Sequence, residues 1–142
     1  GKTVIIPTLG VMHGILTDQT GAVPQYMKDR TGKIFENLCV NLAKACRAGV
    51  LVGWGSDADR TSFDRYPGLE FIARKALGLS NIELLRQATV NSAKIAGVLD
   101  KAGTIKAGKW ADFCVVDGKP DEDIDVMTKL PAHVIVGGKR AV

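Results

Sequence analysis

Two aspartates, Asp57 and Asp59, follow an apolar run and two glycines in Val50-Leu51-Val52-Gly53-Trp54-Gly55-Ser56-Asp57-Ala58-Asp59. Parallel α/β folds gather ligands at the C-terminal ends of their strands, and Asp57 lies just past such an end. A carboxylate there can hold a divalent cation or exchange a proton with a water. Its competing use is to cap the next turn or helix. Gly53 and Gly55 leave room for a ligand or a neighbouring backbone. A calcium loop opening D-x-D-x-T at Asp57 fails, because Ser62 stands where that loop needs Gly and Gly68 where it needs Glu.

The other chemistry-bearing residues are more scattered. Gly103-Thr104-Ile105-Lys106-Ala107-Gly108-Lys109-Trp110 nearly matches a phosphate-binding loop, but Trp110 occupies the position that needs Ser or Thr to hold magnesium. A glycine-rich β-turn explains it better. His13 and His133 have no partner at ligand spacing, so local spacing assembles no zinc site. His133 is expected in a structural role within an apolar strand, and His13 in a loop where it can line a pocket. Neither Ser56 nor Ser62 sits in a nucleophile elbow. The acidic run Asp121, Glu122, Asp123 and Asp125 reads as a solvated loop.

The elements that must position these residues alternate strand and helix. Thr3 to Ile6, closed by Pro7, reads as a buried strand, and residues 10–32 as a long loop. Ile34, Leu38, Leu42 and Ala45 recur at helical spacing with Cys39 and Cys46 alongside, and Gly49 is placed to cap that helix. Val50 to Val52 is a second strand. A helix over 68–77 turns Leu69, Ile72, Ala73 and Ala76 inward. Ser80-Asn81-Ile82-Glu83 is a capping box that starts a helix through Ala88, and Asn91 is expected to cap another ending near Gly97. After Asp100, short apolar runs and glycines read as a small β unit with a tight turn at Gly137-Gly138. Strand–helix–strand–helix in the front part predicts parallel α/β.

The 142 residues carry a formal net charge of +4 with no Lys/Arg run, and 46% of them are apolar. Nucleic-acid binding and membrane insertion are therefore not expected. Three cysteines without CxxC spacing read as buried thiols in a reducing cytoplasm. Gly1-Lys2 leading straight into a strand suggests the rear part of a longer polypeptide.

Three segments together resemble the amidohydrolase superfamily, closest to its prolidase-like and imidazolonepropionase-like members. Pro7-Thr8-Leu9 resembles the end of the family's seventh barrel strand, and Gly55-Ser56-Asp57-Ala58 the eighth-strand motif. Ala88-Thr89-Val90-Asn91-Ser92-Ala93, Gly97 and the run from Gly103 to Asp112 look like a structural signature further on. The resemblance implies the C-terminal part of a (β/α)8 barrel over 1–99, its last two strands and helices. Part of an accessory β-sandwich would follow over 100–142. It implies a metal-dependent hydrolase of C–N bonds in an amide, dipeptide or cyclic amide, using one or two divalent ions, zinc by preference. Asp57 would be metal ligand and general acid/base. Thr8, His13, Trp54, Arg60 and Tyr66 would line the substrate pocket, and a homo-oligomer is compatible with the family. The H-x-H pair and the other histidine ligands of the family have no match here. A non-catalytic scaffold or assembly domain is the alternative.

Overall fold

A computed structural model describes residues 3–58 and 68–141. β1 (Val4–Ile5) and β2 (Leu51–Val52) pair in parallel, with Val4 opposite Leu51 and Ile5 opposite Val52. A parallel pair needs a crossover, and here α1 (Leu9–Thr17) and α2 (Gln25–Arg47) supply it. The expected long loop over 10–32 is thus mostly helix, reduced to the stretch between Thr17 and Gln25. Gly10 and Gly14 lower local helix propensity, but they let α1 approach its neighbours. A Cβ on Gly10 would lie 3.1 Å from Ser56 Cβ, and one on Gly14 would touch Leu69 at 3.4 Å. Tertiary packing outweighs propensity at this point.

α2 carries the main core. Cys39, Leu42, Leu9, Val52, Ala73 and Leu77 form one buried cluster, with Phe35, Leu38 and Cys46 against it. The inward stripe runs one position beyond the expected start: Ile34 is 46% exposed, and Phe35 takes its place. Cys39 and Cys46 share the inward face as their spacing implies, whereas Cys114 is exposed. Gly49 adopts φ +78° and donates to Cys46 O, ending α2 as expected.

α3 (Leu69–Arg74) continues through a 3-10 turn, Lys75–Leu77. Leu69 and Ala73 are buried, but Ala76 is exposed. Its most buried polar residues, Glu70 and Arg74, were not among the expected inward set. The Ser80–Glu83 capping box is formed in both directions and starts α4 (Asn81–Arg86). A π turn, Gln87–Asn91, then leads into α5 (Ser92–Ile95). Asn91 makes no side-chain cap; its amide is used elsewhere. Gly97, at φ +72°, closes the helical stretch. Phe71, Leu84 and Ile124 form a second cluster with Trp54 and Met127 around them.

β3 (Phe113–Val115), β4 (His133–Val136) and β5 (Lys139–Arg140) form an antiparallel sheet in that order. Gly137 and Gly138, at φ +57° and +78°, turn the β4–β5 hairpin as their sequence implies. His133 lies in β4 but is exposed. The acidic run is not merely solvated: Asp125 pairs with Lys75 at 2.7 Å, Glu122 with Lys119 at 2.9 Å, and Asp123 Oδ1 accepts the Asp125 amide. The described residues therefore form a mixed α/β chain with one parallel and one antiparallel sheet.

Candidate active site

The chain that leaves β2 is tied down almost atom by atom. The Gly53 amide donates to Ile5 O at 2.9 Å, continuing the strand pairing. Asn91 Nδ2 donates to Val52 O at 2.9 Å, and the Trp54 amide donates to Ser92 Oγ at 3.0 Å. Ser92 Oγ in turn donates to Gln87 O. The π turn is what aims Asn91 and Ser92 at the strand, consistent with the tendency of such turns to occur at functional sites. Beyond Gly55, Ser56 O accepts the Val11 amide at 2.9 Å. The two glycines of this stretch admit protein and not an open space. A Cβ on Gly53 would lie 2.6 Å from Ile95 Cδ1, and one on Gly55 2.8 Å from Ile6 Cγ2.

Asp57 stands at the end of this held segment, exposed, with φ +52°. Left-handed backbone is uncommon for a residue with a side chain, and Asp tolerates it better than most. Thr8, three residues past β1, is the other non-glycine residue with positive φ among the described residues, +48°. Its Cγ2 lies 3.6 Å from the position of a Cβ on Gly55. The two parallel strands thus deliver Thr8 and Asp57 from neighbouring ends. Unusual backbone at both positions marks a strand edge whose shape is imposed by its surroundings.

Beneath this edge lies a buried network that sequence reasoning missed. Arg74 is fully buried and Glu70 is 3% exposed. Arg74 Nε donates to Glu70 Oε1 at 2.6 Å, Nη1 to Gln87 Oε1 at 2.5 Å, and Nη2 to Gly53 O at 2.8 Å. Its guanidinium carbon lies 4.2 Å from the centre of the Trp54 ring, which also packs on Phe71 at 4.3 Å. Glu70 Oε2 accepts the Gly10 amide at 2.5 Å. Burial pushes Glu70 up and Arg74 down, and their mutual attraction opposes both shifts. The i, i+4 spacing of Glu70 and Arg74 was visible in sequence, but such pairs usually face solvent.

The remaining expected residues are dispersed. His13 lies on α1 rather than in a loop, half-buried, with its ring 6.4 Å from Phe35; burial lowers its pKa. Arg60 and Tyr66 lie outside the described residues. Among the described residues, no group of three or more His, Cys, Asp or Glu side chains can hold a metal ion. One carboxylate is not a metal site, so Asp57 would hold an ion only together with further ligands.

The glycine-rich loop after α5 is structural. Lys109 Nζ donates to Leu99 O and to Ala102 O, so it is not available to a phosphate. Gly103 sits on Ala93, where a Cβ would come within 2.6 Å. Asp112 Oδ1 accepts the Gly137 amide at 2.7 Å, tying the loop to the β4–β5 turn.

The model of the amidohydrolase family matches residues 30–141. The chain belongs to the amidohydrolase family. Its fold is similar to that of a Xaa-Pro dipeptidase with methionine bound in the active site, at 25% identity and TM-score 0.77 over 97% of this chain and 34% of that one. A putative prolidase from Bifidobacterium longum is similar at 26% identity and TM-score 0.84, over 99% of this chain and 35% of that one. A prolidase complexed with N-methylphosphonate-L-proline is similar at 28% identity and TM-score 0.82, over 98% and 35%. The chain spans about a third of the length of these family members. No curated protein matches it in sequence.

Proposed function

We propose that this chain supplies the last two strands of a (β/α)8 barrel, residues 1–99, and part of an accessory β-sandwich, residues 100–142. The whole protein would be a metal-dependent hydrolase of C–N bonds in amides, dipeptides or cyclic amides. The observation that carries this reading is Asp57: an exposed carboxylate at the C-terminal end of a parallel strand, in a chain of amidohydrolase sequence. The prolidase-like folds favour a dipeptide substrate.

A divalent ion, zinc by preference, would polarise the scissile carbonyl and acidify the attacking water. Asp57 would be one of the residues holding that ion, and its carboxylate would take up a proton from the water and give it to the leaving nitrogen. Thr8, from the neighbouring strand end, would border the substrate. Arg60, Tyr66, His13 and Trp54 complete the proposed pocket set, although the Trp54 ring is already engaged by Phe71 and Arg74. Three unpaired thiols suit a cytoplasmic location.

A scaffold or assembly role is the second reading, favoured by the lack, among the described residues, of any group of three or more ligand-type side chains that could hold a metal. Turnover of a dipeptide panel by the full-length protein, before and after chelation, separates the two. The hydrolase reading predicts turnover that the chelator abolishes and added zinc restores. A metal-replete protein with no turnover on any amide or dipeptide supports the scaffold.

A further inference from the structure

The Glu70–Arg74 pair is buried, at 3% and 0% exposure. A well-packed apolar pair of similar volume often serves stability as well as a buried ion pair does, so stability alone is a weak reason for this one. Its polar contacts point elsewhere. Arg74 holds Gly53 O, on the strand that leads to Asp57. Glu70 holds the Gly10 amide at the first turn of α1, and the next amide in α1, that of Val11, holds Ser56 O. The Gly53–Ser56 backbone is therefore held at both of its ends, at Gly53 O by Arg74 directly and at Ser56 O through the α1 turn that Glu70 bonds. Gln87 joins the guanidinium to the π turn whose Asn91 and Ser92 clamp Val52 and Trp54.

We infer that Glu70 and Arg74 are positioning residues that hold the Gly53–Ser56 backbone so that Asp57 keeps its left-handed conformation and its carboxylate stays aimed at the reacting atoms. This rests on the reading of Asp57 as acid/base and metal ligand. A carboxylate that must reach a metal and two proton sites tolerates little displacement, and an error of about 1 Å can cost roughly 100-fold in rate. A left-handed aspartate at the end of a glycine-bearing segment needs external restraint, and a buried pair whose charged atoms bond Gly53 O on one side and the Gly10 amide on the other supplies it with little freedom.

The test uses the full-length, metal-loaded protein and three variants. E70Q keeps the side-chain shape but has one acceptor oxygen, so it cannot serve both Arg74 and Gly10. G10A leaves the ion pair intact but pushes a methyl to within 3.1 Å of both Glu70 Oε2 and Ser56 Cβ. D57N is the control for the underlying reading. Rates are normalised to folded, metal-loaded sites. E70Q and G10A are expected to lower kcat by roughly 10- to 100-fold with KM nearly unchanged. In the D57N background neither should lower the residual rate further, because both act through Asp57. A kcat per folded site equal to wild type in G10A, and in E70Q if it folds, would overturn the inference while D57N remains strongly impaired. Losses that add fully to that of D57N would also overturn it. Near-normal turnover by D57N itself would instead remove the reading of Asp57.

Discussion

At the residue scale, the place of Asp57 just past a strand was legible because two glycines and an apolar run frame it, and β2 ends at Val52. The reason for the glycines was not legible. They admit Ile95 and Ile6 side chains, a tertiary fact that no local pattern encodes. Glu70 and Arg74 were invisible for a related reason: charged residues four apart on a helix normally face water, and only the approach of α1 and the π turn buries them. A second carboxylate shows a clearer electrostatic signature. Asp18 accepts the Thr20 hydroxyl, the Val23 amide and the Thr20 amide, which hold its pKa down to about 2 from an ordinary 3.8. Its folded value is depressed, so its contribution to stability is present above 3.8 and is lost as pH falls through about 2. A carboxyl-carbon NMR titration should give a midpoint near 2, rising toward 3.8 in T20V. An unchanged midpoint in T20V would contradict the assigned cause.

At the element scale, signals with a mechanism confined to a few residues survived intact. The Ser80–Glu83 box, the Gly49 cap and the Gly137-Gly138 turn depend on neighbours within one or two turns of chain. S80A should therefore destabilise the protein by about 1 kcal/mol, read as a lower denaturation midpoint with an unchanged slope. An unaltered midpoint would mean that α4 is held by packing alone. Element boundaries set by distant contacts were harder to see. α1 contains two glycines and looked like a loop, but both glycines are contact points for Ser56 and Leu69. Asn91 looked like a cap because Asn favours caps, yet its amide is used across 39 residues of sequence to hold Val52 O.

At the scale of the whole molecule, the apolar surface is unevenly covered. An apolar trough of about 730 Å³ runs between α4–α5 and the β3 side of the small sheet, lined by Leu85, Ala88, Ala93, Ile105, Trp110 and Phe113 among others. The chain also spans about a third of the length of the solved structures it resembles. The parallel order of β1 and β2 was inferable from strand–helix alternation; barrel membership rested on resemblance, because two strands carry no closure information. The central claim is that Asp57 binds the metal and moves the proton. The most direct measurement is the turnover of Asp57→Asn in the full-length, metal-loaded protein on a dipeptide it hydrolyses. A fall of roughly 100- to 10,000-fold in kcat, the usual worth of a general acid/base, is predicted. Turnover close to wild type at equal metal content would contradict the account.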